Sequence, residues 1–289
     1  MSFWPLLSEQ ITQQTNQPFI LQSKSAIGSG CINQAYKISN GSKDYFVKQN
    51  STQFGDMFEV EALSLRELAN SNSIKVPRPI CYGSIGEQAY LVLEHLNLVG
   101  RANPIVQGRQ LAAMHRVSHS QFGWHKNNTI GSTPQSNQPT NDWVSFWREQ
   151  RLIPQFKLAL HNGYQLDALE QLIECFDSLF EHYQPQASML HGDLWGGNAA
   201  ALADGTPVIF DPAFYYGDRE ADIAMTHLFG GFESNFYAAY NEAWPLHTGH
   251  QVRRTFYNLY HIINHLNLFG RGYLGQANSM AEQVLAEIR

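Results

Sequence analysis

A polar loop set between short apolar strands constrains the fold of this chain more than any other feature. A strand is predicted at Ser188–Leu190, and it leads into the loop HGDLWGGN at residues 191–198. A hairpin formed by Ala199–Leu202 and Pro207–Phe210 follows and ends at Asp211. An aspartate, an asparagine and a second aspartate therefore lie beside strands of this small region.

The spacing of these polar residues is typical of phosphoryl transfer. Asn198 follows Asp193 by five positions, as in the H-x-D-x-x-x-x-N pattern of kinase catalytic loops. Phosphoryl transfer requires a carboxylate near the acceptor hydroxyl and oxygen ligands for Mg²⁺. We therefore predict that Asp193 is catalytic and that Asn198 and Asp211 bind Mg²⁺. Alternatively, the loop is a polar turn and Asp211 opens a turn before Pro212; the presence of both features favours the catalytic interpretation.

The pattern before residue 97 predicts a small antiparallel sheet with one helix. Asn40-Gly41 indicates a hairpin turn, because both residues tolerate positive φ. Apolar residues recur at helical spacing from Asp56 to Ala69, and Asp56 is the predicted N-cap. The predicted strands are Ala35–Ser39, Tyr45–Lys48, Pro79–Tyr82 and Ala89–Leu93. A further helix is expected at residues 1–15.

Several residues of this region are candidates for binding phosphate. Lys48 ends the return strand of the hairpin and could reach the phosphates of a nucleotide, or it could be an exposed strand-edge lysine. Glu61 and Glu59 lie on the following helix, and either could pair with Lys48. Gly28 and Gly30 precede the hairpin, where backbone N–H groups could cap phosphate oxygens.

The remaining chain is predicted to be mainly helical. A helix begins near Ile105, residues 121–141 form a long polar loop, and helices follow at about 142–160 and 165–183. A Tyr-Tyr-Gly turn precedes the segment Asp218–Asp222, which opens a helical region that extends to residue 289.

Composition excludes several classes of partner. The formal net charge of −6 argues against a nucleic-acid surface, which would show clustered Lys and Arg. No run approaches the roughly 20 apolar residues of a membrane span, and the N-terminus does not resemble a signal peptide. The three cysteines are sparse and unclustered, and the histidines form no convincing Zn²⁺ set. We expect a cytoplasmic protein without a nucleic-acid or membrane partner, as a monomer or weak homodimer.

Longer segments make the chain similar to a known family. It resembles the fructosamine/ketosamine kinase family, a branch of the protein-kinase-like fold near aminoglycoside and choline kinases. The matching segments are GSGCINQAYKI, YFVKQN, MFEVEALSLRELA, VPRPICYG, LVLEHL, FGWHKNNTIGSTPQSN, HGDLWGGN and DPAFYYGDREADIAMTHLFGGF. The last three are far more specific than a general kinase motif.

The resemblance implies an α+β, two-lobed protein-kinase-like fold. The N-lobe, residues 1–97, would carry the antiparallel sheet and one helix, and the larger C-lobe, residues 98–289, would be mainly helical. ATP would bind between the lobes, where the backbone of the hinge Glu94, His95 and Leu96 meets adenine. The resemblance also implies a Lys48–Glu61 ion pair, Asp193 as the catalytic aspartate, and Asn198 and Asp211 as ligands of Mg²⁺.

The acceptor implied by the resemblance is a ketoamine, either a small molecule or protein-bound. Phosphate would be transferred to the sugar O3, and decomposition of the product would release the amine and repair glycated proteins. Trp195, Asp218, Arg219 and Glu220 are candidates for the acceptor site. Trp195 could instead pack the loop, and the acidic residues of this segment could favour a helix N-terminus. Asp222 could brace the catalytic loop through hydrogen bonds.

Two other functions remain open at this point. An aminoglycoside- or choline-type kinase would share the catalytic residues, although the C-lobe is not as acidic as a pocket for a polycation would be. A pseudokinase scaffold is disfavoured, because Lys48, Asp193, Asn198 and Asp211 are all present. A protein kinase is disfavoured because Asp211-Pro212-Ala213 replaces D-F-G and no A-P-E segment is found. Cys31, in the predicted phosphate loop, is either a small residue packed under the loop, which is the favoured interpretation, or a thiol sensitive to oxidation.

Overall fold

The computed structural model describes residues 2–28 and 33–288. The described chain forms two compact units. The first unit comprises Met1–Asn103 with Ala200–Pro212, and the second comprises Pro104–Ala199 with Ala213–Arg289. The lobe boundary predicted after residue 97 stays a prediction. Gly30 and Cys31 lie outside the described residues.

The first unit contains a small antiparallel sheet. Its strands have the order β1-β2-β3-β5-β4. They are β1 (Ser23–Ala26), β2 (Gln34–Ser39), β3 (Asp44–Ser51), β4 (Pro79–Ile85) and β5 (Gln88–Glu94). The predicted turn at Asn40-Gly41 is confirmed: Gly41 has φ +87°, and Asn40 Oδ1 accepts from the amides of Ser42 and Lys43.

Two helices pack in the first unit. Helix α1 (Phe3–Thr15) buries Leu7 and Ile11 in a core shared with Val47 and Val92 of the sheet. Burial of each such side chain contributes roughly 1.5–3 kcal/mol, so the predicted N-terminal helix is an integral part of this unit.

Helix α2 (Gly55–Asn70) begins one residue earlier than predicted and has a different N-cap. Phe54 is the N-cap because the 3₁₀ turn Thr52–Phe54 runs directly into the helix. Asp56 was predicted as the cap but lies in the first turn of the helix. Its carboxylate is still placed at the positive end of the helix dipole.

A second, two-stranded sheet completes the first unit and positions Asp211. Its strands are β9 (Ala199–Ala201) and β10 (Pro207–Ile209), and the amide of Ile209, the last residue of β10, donates to Lys75 O at 3.0 Å. Asp211, just beyond β10, has φ +58°, in the left-handed region that non-glycine residues rarely adopt.

The second unit is mainly helical, which confirms the predicted fold class. The described helices of this unit are α3 (Pro104–His115), α4 (Trp143–Trp147), α5 (Ile153–His161), α6 (Asp167–Cys175), α7 (Arg219–Thr226), α8 (Ser234–Ala243), α9 (His250–Phe269) and α10 (Leu274–Ile288). The described strands of this unit are β6 (Asn128–Ile130), β7 (Thr133–Gln135), β8 (Ser188–Leu190) and β11 (Tyr215–Gly217).

Two local predictions in the second unit were wrong. The segment predicted as a long loop contains the hairpin β6–β7, and the predicted Tyr-Tyr-Gly turn is strand β11, which pairs with β8. The helix predicted at about 142–160 is confirmed over residues 143–161, and it contains a π-helical turn at Arg148–Leu152. Strand β11 depends on a partner that is distant in sequence, so the local pattern could not reveal it.

None of the helices in the described ranges has both the length and the apolarity that crossing a membrane requires.

Buried histidines make the stability of this fold sensitive to acid. His261 of α9 is 4% exposed, and burial lowers its pKa from 6.5 to about 3. Because the folded-state pKa is the lower one, the unfolded chain takes up a proton first as the pH falls. The contribution of His261 to stability is therefore complete above pH 6.5 and is lost between pH 6.5 and pH 3. Burial also lowers the pKa of His115, which is fully buried.

We predict that His261→Asn reduces the loss of stability in acid. Between pH 7.5 and pH 5.0, protonation of His261 in the unfolded state should cost the native protein about 2 kcal/mol. The variant should not show this part of the loss in the free energy of unfolding, as measured by urea unfolding at both pH values. The control, exposed His161→Asn, should keep the native acid sensitivity. An unchanged pH dependence in His261→Asn would contradict the assignment.

Candidate active site

A lysine held by two carboxylates lies in the first unit. Lys48 on β3 places its Nζ 2.7 Å from Glu61 Oε1 on α2 and 2.5 Å from Asp211 Oδ1 beyond β10. Of the two candidate glutamates, Glu61 therefore pairs with Lys48. The side chains of Lys48 and Glu61 are nearly buried, whereas that of Asp211 is 48% exposed. Asp211 is thus the member of this cluster that solvent reaches.

The charges of this cluster depend on one another. Burial alone would lower the pKa of Lys48, but the carboxylates of Glu61 and Asp211 outweigh it and raise the pKa above its ordinary value. Burial raises the pKa of Glu61, and the ammonium group of Lys48 opposes this effect. Lys48 is consequently a fixed cation, suited to binding phosphate oxygens.

The other candidates of the first unit lie along the sheet. Gly28 follows β1, and a Cβ added there would meet no atom within 4 Å. Glu94 ends β5; its amide donates to Arg78 O at 2.8 Å, and its carboxylate lies 3.7 Å from Lys75 Nζ. His95 and Leu96 follow the strand and are partly exposed. The nucleotide-binding roles of these residues and of Gly30 stay predictions.

In the second unit, the loop after β8 holds Asp193 and Asn198 together. Asn198 Nδ2 donates to the backbone oxygen of Asp193 at 2.9 Å and to its Oδ2 at 3.1 Å. The Asp193 amide donates to Nδ1 of buried His191 at 3.2 Å. These bonds orient the Asp193 carboxylate, and Asn198 Oδ1 accepts no hydrogen bond within the described residues.

The backbone of this loop is fixed by a buried carboxylate. Asp222 on α7 accepts from the amide of His191 at 2.7 Å and from that of Gly192 at 2.8 Å. Burial would raise the pKa of Asp222, but hydrogen bonds from His115 and the Gly192 amide contribute to lowering it. The predicted bracing by Asp222 is confirmed.

The chemistry of Asp211 and Asn198 fits Mg²⁺. A carboxylate oxygen and a neutral amide oxygen are hard ligands, and Mg²⁺ usually completes its octahedron with water and substrate phosphates. Within residues 2–28 and 33–288, no group of three His, Cys, Asp or Glu side chains could hold a metal ion. The binding of Mg²⁺ by Asp211 and Asn198 stays a prediction.

Three of the predicted acceptor-site residues are buried. Asp218 caps α7 and accepts from the hydroxyl groups of Tyr183 and Tyr257 at 2.8 and 2.6 Å. Glu220 Oε2 lies 2.7 Å from Arg253 Nε, and Arg219 donates to carbonyl oxygens beyond α8. These partners lie within the second unit, so the geometry favours a structural role for all three residues.

Trp195 differs from those three because it is 36% exposed. Its ring contacts Phe229 edge-to-face, with centroids 5.8 Å apart, and it covers Gly197, where a Cβ would lie 2.2 Å from the indole. Ring contacts continue from Phe229 to His265 and Phe269. Trp195 therefore packs the loop and also presents ring surface two positions from Asp193.

Sequence reasoning did not identify His115 and Tyr240. His115 Nε2 lies 3.2 Å from Asp222 Oδ2, and His115 Nδ1 lies 2.8 Å from the Tyr240 hydroxyl. Both side chains are buried, on α3 and α8. Each occupies a position that helical periodicity assigns to the core, so no local pattern marks them as polar partners of the loop.

The chain is similar to known kinases over nearly its whole length. The family model of fructosamine kinase matches residues 3–287. A Synechocystis sp. protein that carries the name probable ketoamine kinase is 46% identical over 286 residues, covering 98% of this chain and 97% of that protein. A chloroplastic protein-ribulosamine 3-kinase of Oryza sativa subsp. indica is 41% identical over 274 residues, covering 92% of this chain and 79% of that protein.

Solved structures show the same relationship. A crystal structure from Haemophilus somnus, provisionally named a fructosamine-3-kinase, has a TM-score of 0.90 at 28% identity and covers 96% of both chains. An aminoglycoside phosphotransferase in ternary complex with ADP and hygromycin B has a TM-score of 0.64 at 14% identity, covering 97% of this chain and 98% of that one. The second similarity supports the fold alone.

The kinase-like fold and these matches define a phosphotransferase that acts on an alcohol group. More narrowly, the chain belongs to the fructosamine kinase family, as the resemblance of its motifs implied. An enzyme is therefore favoured over a scaffold.

We predict that Gly192→Ala disrupts the loop. Gly192 has φ +82°, and a Cβ there would lie 2.0 Å from the carbonyl oxygen of Ala213. The substitution should lower the free energy of unfolding by more than about 2 kcal/mol. Gly196→Ala in the same loop is the control for stability, because its Cβ would meet no atom within 4 Å. Equal melting temperatures for the two variants would show that the close approach at Gly192 does not matter.

Proposed function

We propose that this protein is an ATP-dependent ketosamine 3-kinase that transfers the γ-phosphoryl group of ATP to the sugar O3 of a ketoamine. The observation that carries the phosphotransfer chemistry is the Asp193 carboxylate held by Asn198 in a loop that Asp222 fixes. The names of the relatives support the ketoamine acceptor. The substrate is a fructosamine, ribulosamine or erythrulosamine, small or protein-bound.

Each group of the site has a distinct task in this proposal. Lys48, held by Glu61, binds the phosphates of ATP, and the backbone amides at Gly28 and Gly30 cap phosphate oxygens. The backbone of Glu94, His95 and Leu96 contacts adenine. Asp193 orients the O3 hydroxyl and accepts its proton as the bond to phosphorus forms. This division suits phosphoryl transfer, which depends mainly on positioning and on charge neutralisation.

Asn198 and Asp211 would hold Mg²⁺, which neutralises phosphate charge when bound. In the structure Asp211 pairs with Lys48, so this carboxylate would have both the lysine and the cation as partners. The O3-phosphorylated ketoamine would then decompose and release the free amine, which makes the reaction a deglycation. We further propose that the enzyme acts in the cytoplasm as a monomer or weak homodimer.

Turnover of ketoamines tests this proposal directly. ATP consumption should be measured with ribulose-lysine, erythrulose-lysine and fructose-lysine, with an aminoglycoside and choline as competing acceptors. We expect phosphate transfer to at least one ketoamine, with ³¹P NMR placing it on O3. Asp193→Asn, which keeps the size of the side chain but not its basicity, should lower kcat about 10²–10⁴-fold. Turnover of an aminoglycoside or choline alone would refute the proposed substrate.

Trp195 gives a second prediction, about the acceptor. If its exposed ring forms an apolar wall for the sugar, Trp195→Ala should raise KM for the ketoamine about 10-fold and leave KM for ATP nearly unchanged. Trp195→Phe, which retains an aromatic ring, should recover most of the affinity. A fall in melting temperature with an unchanged KM for the ketoamine would show that Trp195 only packs the loop.

A further inference from the structure

Four buried side chains of the second unit form a continuous series of hydrogen bonds that ends at the catalytic loop. We call the series Arg219–Tyr240–His115–Asp222 the relay. Arg219 Nη1 lies 3.1 Å from the Tyr240 hydroxyl, which lies 2.8 Å from His115 Nδ1. His115 Nε2 lies 3.2 Å from Asp222 Oδ2. Asp222 in turn accepts from the amides of His191 and Gly192. The residues of the relay lie on three helices, α3, α7 and α8.

The chemistry of these side chains fixes the direction of hydrogen-bond donation along the relay. A guanidinium group can only donate, so the Tyr240 oxygen accepts from Arg219. An ionised carboxylate can only accept, so His115 Nε2 carries a proton and donates it to Asp222. Because a neutral imidazole has a single N–H, His115 Nδ1 is an acceptor and the Tyr240 hydroxyl donates to it. Burial lowers the pKa of His115, in keeping with a neutral ring. The hydroxyl proton of Tyr240 and the ring proton of His115 thus each have one position.

The stability of the ionised Asp222 carboxylate depends on the position of the His115 proton. Its carboxylate is buried, and a buried anion is stable only when its oxygens accept hydrogen bonds. It accepts from the two loop amides and from His115 Nε2. If the proton of His115 lay on Nδ1 instead, the lone pair of Nε2 would face the carboxylate and repel it.

We propose that Arg219, Tyr240 and His115 are positioning residues that keep Asp222 ionised and thereby hold the backbone of residues 191–193 in its catalytic geometry. This gives Arg219 a task other than the predicted contact with the acceptor. The inference rests on the proposed function only for its kinetic readout.

Tyr240→Phe tests the relay with the smallest change. Arg219 keeps its bonds to the carbonyl oxygens of Trp244 and Pro245, but His115 Nδ1 loses its donor. We expect kcat to fall about 10- to 100-fold, as a small misplacement of a catalytic group can cause, with KM for ATP within about two-fold of its native value. Tyr237→Phe is the matched control: it removes another hydroxyl of α8, one that bonds Thr226 O, and kcat should be unchanged.

A double-mutant cycle separates the relay from a general structural role. Asp222→Asn removes the anion through which the relay acts. Tyr240→Phe should therefore reduce kcat little further in the Asp222→Asn background. Additive losses would overturn the proposal. His115→Gln, which retains an N–H donor for Asp222, should keep more activity than His115→Leu; equal losses in the two variants would also count against it.

Hydrogen exchange provides a readout that needs no substrate. The amides of His191 and Gly192 should exchange about 10-fold faster in Tyr240→Phe than in the native protein, as measured by mass spectrometry of a peptide spanning residues 188–195. They should be unaffected in Tyr237→Phe. Native exchange in Tyr240→Phe would overturn the relay. If the native enzyme phosphorylates no ketoamine, the proposed function fails, but this measurement still decides the relay.

Discussion

The carboxylate of Asp222 lies in the interior of the second unit, where it accepts hydrogen bonds from two consecutive backbone amides of the catalytic loop. The orientation of Asp193 follows from these contacts. With the backbone held at His191 and Gly192, the Asp193 amide meets His191 Nδ1 and the side chain comes within reach of Asn198. Gly192 is required because the chain turns there with positive φ against the carbonyl oxygen of Ala213.

The first unit meets a different electrostatic requirement. A lysine as buried as Lys48 is stable as a cation only if carboxylates lie close to it. Glu61 and Asp211 both form ion pairs with its Nζ. Glu61 is nearly as buried as Lys48. Asp211 is half-exposed and is therefore the carboxylate that can take an additional ligand. The left-handed backbone of Asp211 places its carboxylate at this position.

Helix α7 shows why a charged segment is hard to interpret from sequence. Asp218, Arg219, Glu220 and Asp222 have the composition of a solvated helix N-terminus, yet all four are buried. Each has a partner from a remote part of the chain: tyrosines, carbonyl oxygens, Arg253, and the catalytic loop with His115. An isolated sequence shows the charges but not the groups that neutralise them, and those groups decide whether a charge serves structure or substrate.

The sequence by itself determined those features whose physical cause is local. The Asn40-Gly41 turn, strand β8, the approximate bounds of α2, and the spacing of Asp193 and Asn198 within one loop all depend on neighbours in the chain. Family motifs added the fold class and the pairing of Lys48 with Glu61. The tertiary structure alone decided the pairing of β11 with β8, the burial of the α7 charges and the hydrogen bonds of His115 and Tyr240. These contacts join residues far apart in the chain, and a histidine or tyrosine at a core position of a helix has the same local pattern whether or not it bonds a catalytic loop.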